Sequence, residues 1–227
     1  MSVRSRPAAL AAQRNAIAAR TGPVRTRLDL LGNVSRSGDV SNPRLWELQC
    51  GEDVWTEDTA AKVEALPPRQ RCARLVWDDF LSIEEVRALR AVMDRGFEGL
   101  LHQGAEVSLA PDEFARARLG EEGFQLAEAL LTRCRTAVAR TLAQLGGAPL
   151  RTVGALLKRV RLPAETGPLQ VEPGHDPFVP HADRANVAAY EYSALLYLST
   201  AGVDFGGGEL VFHDVDADRA VPPVAGR

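Results

Sequence analysis

Cysteine is scarce in this 227-residue chain: Cys50, Cys72 and Cys134 are the only three. They are too few and too scattered for a disulfide framework or a cysteine-rich zinc site. No apolar run is long enough to cross a bilayer, and the first residues lack the apolar core of a secretory signal. Phosphate-cradling loops are missing as well. Gly206–Gly208 is followed by Glu209 and Leu210, with neither the spaced glycines of a dinucleotide fold nor a following lysine. A net charge of -3 argues against a nucleic-acid binder. Histidine is also sparse, at four residues, yet His175, His181 and His213 fall in one stretch and only His102 lies elsewhere.

What is present fits a globular domain with a tail, at 45% apolar and 25% charged residues. The charge is uneven. Residues 1–40 carry seven arginines against Asp29 and Asp39, a formal +5, which leaves -8 for the remainder. Residues 1–43 therefore read as a basic segment, either a disordered tail or an organellar targeting sequence. Its last part, from Gly32 to Pro43, has the Ser, Asn and Gly content of a linker. Residues 44–74 form a docking segment with an apolar cluster of Leu45, Trp46, Leu48, Val54 and Trp55. The domain proper then runs over 75–227.

Helix signals are clear. Ser82 with Glu85 three residues on has capping-box spacing, and Val86, Leu89 and Met93 make an apolar stripe that Gly96 would stop. Pro111 breaks the next region, where Asp112–Arg118 restarts a helix and His102 reads as a polar loop residue. From Glu121 to Leu145, Leu126, Leu130, Cys134, Val138, Leu142 and Leu145 recur at three or four residues. Cys134 on that stripe is a packing residue and not a reactive thiol. Strands are expected over Ala73–Trp77, within 152–163, over Tyr190–Ser199 and over Glu209–His213. Tyr190–Ser199 is apolar enough to be buried on both faces. On the last strand, Leu210 and Phe212 form the core face, opposite Glu209, Val211 and His213.

The chemistry gathers at His181 and Asp183, one residue apart. In an extended chain both side chains leave one face, so an imidazole and a carboxylate can converge on an ion. With a second imidazole they would make the facial triad of a non-haem Fe(II) oxygenase. Arranged differently, the same residue types bind zinc with an open position. His213 is the downstream candidate for a third ligand, and His175 the upstream one.

HADRAN (181–186), YEYSALLYLS (190–199), FGGGELVFHDVDAD (205–218) and the terminal Gly226–Arg227 resemble the iron- and 2-oxoglutarate-dependent dioxygenases. The likeness is greatest to the prolyl hydroxylase branch, of the prolyl 3-hydroxylase type. DFLSIEEVRAL (79–89) and GFQLAEALLTRCRTAVARTLAQLG (123–146) resemble that family's entry strand and supporting helices.

The resemblance implies an α+β fold: a double-stranded β-helix, or jelly roll, with supporting N-terminal helices. It implies His181 and Asp183 as iron ligands and Tyr192 as a contact to 2-oxoglutarate. The cofactors would be Fe(II) and 2-oxoglutarate, with ascorbate (vitamin C) as an accessory reductant. The substrate would be a protein or peptide bearing proline, and no nucleic acid or membrane span is expected. In that family a further strand brings a distal histidine and then a basic residue for the far carboxylate of 2-oxoglutarate. This sequence reaches Arg227 where that strand opens, so the core is expected to be incomplete. Arg227 itself is expected to be mobile and a poor carboxylate clamp. The competing expectation is a catalytically inactive fragment, or a scaffold domain that lacks the distal histidine and the anchoring base. The basic start suggests the cytoplasm or an organelle.

Overall fold

The computed structural model describes residues 34–36, 45–48, 50–51, 72–98, 106–110, 112–144, 149–160 and 181–227. His102, His175, Val54, Trp55, Leu145 and nearly all of the basic segment 1–43 lie outside the described residues. The chain divides into two compact units. One joins Met1–Leu81 with Pro180–Arg227, and the other is Ser82–Val179. Helices and small antiparallel sheets are both present, so the class is mixed α and β.

The first unit is built on a three-stranded antiparallel sheet in the order β1 (Val34–Arg36), β2 (Leu45–Leu48) and β3 (Arg74–Trp77). Val34 pairs with Leu48, and Trp46 pairs with both Arg36 and Val76. Val34–Arg36 falls in the stretch expected to be a linker. A three-residue strand with no apolar alternation leaves no periodic signal, and only its pairing with β2 reveals it.

Farther along, β6 (Leu210–His213) and β7 (Asp218–Val221) form a hairpin, with Leu210 opposite Val221 and His213 opposite Asp218. Leu210 and Phe212 pack, as Trp46 does, against the cluster of Leu48, Val76 and Val221, the core face that their alternation predicts. The hairpin thus covers the sheet.

Beside this apolar cluster lies a buried charge cluster. Asp214 is fully buried, and its carboxylate takes two hydrogen bonds from Arg74 (2.6 and 2.7 Å) and one from Arg219 (2.6 Å). The Arg74 guanidinium also lies 4.4 Å from the centre of the Phe212 ring, a cation–π contact. Gly51 lets the backbone come close. A Cβ there would stand 2.7 Å from Asp214 Cβ and 2.8 Å from its Cγ, so any side chain would push the carboxylate off its arginines.

Cys50 and Cys72 are joined by a disulfide, with their Cα atoms 6.3 Å apart and 22 positions apart in sequence. A single bridge is not the framework that cysteine scarcity argues against, but it is a pairing that the sequence did not reveal. One bridge needs only two residues brought together, and β2 pairing with β3 brings their flanking cysteines together. In the chain-entropy account, closing a loop of this length stabilises the fold by about 3 kcal/mol.

Two further expectations are overturned in this unit. Tyr190–Ser199 is not a strand, and Leu195 is 57% exposed. Its backbone does find a neighbour: Tyr197 N–H donates to the Arg227 carbonyl (2.9 Å) and Gly226 N–H to the Tyr197 carbonyl (2.8 Å). Ala201 N–H reaches Pro223 O at 3.0 Å, so the two segments run antiparallel without forming a regular ladder. An apolar run reports burial capacity, whereas a strand needs a paired edge along its length. Arg227, expected to be mobile, is buried. Its Nε donates to Asp78 Oδ1 at 2.8 Å and its Nη1 to Pro222 O at 2.9 Å, while Trp46 Nε1 donates to the other Asp78 oxygen at 3.0 Å.

The second unit is mainly helical. Helix α1 (Ile83–Phe97) opens on Ser82, whose Oγ accepts from Glu85 N–H (3.2 Å) while Glu85 accepts from Ser82 N–H (2.9 Å). That is the capping box read from the sequence. Val86, Leu89, Val92, Met93 and Phe97 are buried along its stripe. Helix α2 (Glu113–Leu119) is capped by Asp112, which accepts from Ala115 N–H at 3.0 Å. Arg118 on α2 donates to the Gly96 and Glu98 carbonyls, meeting acceptors that the end of α1 leaves open.

Helix α3 (Glu121–Gln144) buries Phe124, Ala127, Leu130 and Leu142. Gly123 lets α3 approach α1, since a Cβ there would meet Val92 at 2.7 Å. Cys134 is a free thiol, half-buried, and burial raises its pKa, in keeping with a packing role. Arg133 on α3 forms a two-pronged ion pair with Glu85 (2.6 and 2.9 Å). This bond is the first cause of the lowered Glu85 pKa.

Antiparallel β4 (Glu106–Leu109) and β5 (Leu157–Val160) complete the unit. Leu157–Val160 lies within the stretch expected to hold a strand, but its partner β4 sits in a region of weak periodicity and was not expected. Replacing Ser82 with alanine removes half of the capping box while the Glu85–Arg133 pair remains. Urea unfolding should register a loss of about 1 kcal/mol.

Candidate functional site

The short turn of helix α4 (Asp183–Asn186) begins one residue after Ala182, and His181 immediately precedes that residue. Ala182 is extended, at φ -118 and ψ 127, so the side chains flanking it leave the backbone on one side. His181 Nε2 and Asp183 Oδ1 stand 3.5 Å apart, with side chains 46% and 47% exposed. The sequence-level pairing is therefore present in space, and it opens to solvent.

Ser193, ten residues on, donates its hydroxyl to the other Asp183 oxygen, Oδ2. The carboxylate is thus divided, with one oxygen toward the imidazole and the other engaged by a hydroxyl. Sequence reasoning did not single out Ser193. Its only signal was its place directly after Tyr192, at the head of the apolar SALLYL run.

Arg184 lies between these groups in the chain and is buried. Its Nη2 is 3.4 Å from Glu191, and its Nε has no hydrogen-bond partner among the described residues. Tyr192, the expected 2-oxoglutarate contact, is half-buried beside Ser193 in sequence. Tyr197, expected in the core, is partly buried, and burial raises its pKa.

His213 has a different neighbour. Across the β6–β7 hairpin its Nδ1 is 3.0 Å from Asp218 Oδ1, both side chains being largely buried. With Nδ1 engaged, the imidazole would present only Nε2 to a metal. Among the described residues no group of three or more His, Cys, Asp or Glu is arranged to hold a metal ion.

The fit of a metal to His181 and Asp183 can be judged from the donors themselves. Bonds of about 2.1 Å from each donor to one ion, meeting at a right angle, place the donors about 3 Å apart. Small rotations of two half-exposed side chains bring 3.5 Å to that value. One nitrogen and one oxygen are suited to iron or another first-row divalent ion. The two residues therefore fit as a two-point chelate, with room for further ligands.

No family model matches the chain, and no solved structure matches it. Curated proteins do. The chain is 28% identical over 219 residues to rat "2-oxoglutarate and iron-dependent oxygenase domain-containing protein 3", a match covering 88% of this chain and 66% of that protein. The human protein of that name is 27% identical over 214 residues, covering 86% and 64%. The Xenopus tropicalis protein is 26% identical over 209 residues, covering 83% and 62%. The chain thus spans slightly less than two thirds of the length of these relatives. At this identity the similarity supports the 2-oxoglutarate and iron-dependent oxygenase family, and it does not extend to a prolyl hydroxylase branch.

Proposed function

We propose that this chain is the oxygenase portion of an Fe(II)- and 2-oxoglutarate-dependent dioxygenase that hydroxylates a prolyl residue in a protein or peptide. The observation that carries the reading is the His181–Asp183 pair, 3.5 Å apart and open to solvent. The names of the relatives agree with it in cofactor and co-substrate. The prolyl substrate rests on the sequence resemblance alone, as does a double-stranded β-helix as the parent architecture.

In this reading His181 Nε2 and Asp183 Oδ1 hold Fe(II). Bound iron with 2-oxoglutarate supplies oxidative decarboxylation coupled to C–H hydroxylation, with ascorbate keeping the metal ferrous. Ser193 holds Asp183 so that a single oxygen faces the ion. Tyr192 lies close in sequence to these groups and would hydrogen-bond the co-substrate. The half-exposed site admits a peptide from solvent. Among the described residues no third protein ligand joins His181 and Asp183.

The test is succinate formation from 2-oxoglutarate with Fe(II), with and without proline-containing peptides, compared with Asp183→Ala. Succinate at the variant's background level would leave the scaffold reading in its place. Ser193 has its own expected result. Ser193→Ala should weaken Mn(II) binding by about 10-fold, the low end of the 10–100-fold typical of groups that orient metal ligands. Ser193→Thr keeps the hydroxyl and should retain most of the affinity by titration calorimetry.

A further inference from the structure

The disulfide stands next to the most deeply buried charges of the first unit. Cys50 adjoins Gly51, whose missing side chain makes room for Asp214, and Cys72 lies two residues before Arg74, which grips Asp214 with both terminal nitrogens. The two half-cystines therefore bracket both walls of one cluster. The bond joins the chain just after β2 to the chain just before β3, at the end of the sheet where Leu48 pairs with Arg74.

The third cysteine is differently placed. Cys134 lies in the middle of α3, in the other unit, and remains a free thiol. Pairing is thus selective: sheet register brings two cysteines together and leaves one apart.

We infer that this domain matures in an oxidising compartment, where Cys50 and Cys72 form a structural clasp on the Arg74–Asp214–Arg219 cluster. Two thiols lose two protons and two electrons as the S–S bond forms. A disulfide-bearing oxidant, either an oxidoreductase or glutathione disulfide, takes up those electrons and becomes a thiol pair. Cytosolic glutathione and thioredoxin keep such pairs reduced, so the clasp places the folded domain in a lumenal or extracellular setting. The inference is independent of the oxygenase reading, because it uses neither His181 nor Asp183. It also departs from the cytoplasmic alternative drawn from the basic start.

The full chain is produced with export to an oxidising compartment and, in parallel, in a reducing cytosol. Thiols are counted after denaturation under non-reducing conditions, and linked peptides are mapped by mass. The exported protein should show one free thiol, Cys134, and a Cys50–Cys72 peptide pair. Dithiothreitol should release two more thiols and lower the Tm by roughly 10 °C, the shift expected for losing one such bond in a chain of this size.

The Cys50→Ala/Cys72→Ala variant should melt at that lower temperature and not respond to dithiothreitol. Cys134→Ala should behave as the parent does. Three free thiols in the exported protein, a pair that includes Cys134, or a Tm unchanged by reduction would each overturn the inference. If the double variant does not fold, the thiol count and peptide map on the parent still decide it.

Discussion

Asp183→Ala should reduce any Fe(II)-dependent succinate formation to the metal-free background and weaken Mn(II) binding by at least about 100-fold, and His181→Ala should do the same, if the proposed site is the metal site. The expected effect is large because in the proposed reading each residue supplies one of the two protein donors to the metal. Substitution of groups that merely orient metal ligands already costs about 10–100-fold in affinity. Both side chains are about half exposed, so neither supports the core. Loss of binding should therefore come with an unfolding free energy within about 0.5 kcal/mol of the parent, the usual range for surface substitutions. That combination separates a site defect from a folding defect. If either variant bound Mn(II) as the parent does, its residue would not be a ligand. If both did, the metal-site reading would be withdrawn.

The second large effect concerns stability. Asp214→Ala should lower the unfolding free energy by about 3–5 kcal/mol in urea titration, because it leaves two buried guanidinium groups without their shared carboxylate. The geometry explains why the loss is not absorbed. Asp214 is 0% exposed and receives three hydrogen bonds of 2.6–2.7 Å from Arg74 and Arg219. Arg219 retains Asp216 as a partner, at 2.7 Å, and that contact holds the Asp216 carboxyl down at about 2. Arg74 keeps its position over Phe212, but a ring face replaces only part of what a carboxylate supplies. Asp214→Asn keeps the shape without the charge and should fall between the parent and the alanine variant. A cost near zero for Asp214→Ala would mean that the cluster opens to water in solution.

The legibility of this fold depended on the range of each interaction. α1, α2 and α3 were readable because capping residues and a 3.6-residue stripe are local, and Ser82, Glu85, Asp112 and Leu130 behave as their positions predict. β3 and β6 were readable for the same reason, as was the inward face of Leu210 and Phe212. β1, β4 and β7 were not, since VSR, EVSL and DRAV lack the run of three apolar residues that marks β3 and β6. The error at Tyr190–Ser199 ran the other way: a strong apolar pattern met only scattered backbone pairing, at Tyr197 and Ala201.

At the candidate site, the residue types and spacing of His181 and Asp183 were legible because a single extended residue separates them. Ser193 was not, because its contact spans ten residues and a hydroxyl has no spacing rule. The amino-acid sequence by itself determined helices α1, α2 and α3, the inward face of β6 and the juxtaposition of imidazole and carboxylate, all of which rest on neighbours within a few residues. Only the tertiary structure decided that Cys50 meets Cys72, that Arg74 and Arg219 converge on Asp214, and that the terminal Arg227 is buried on Asp78. Those contacts join residues up to 149 positions apart in sequence. They exist only once sheet pairing and chain closure bring distant groups into reach, and no local periodicity encodes them.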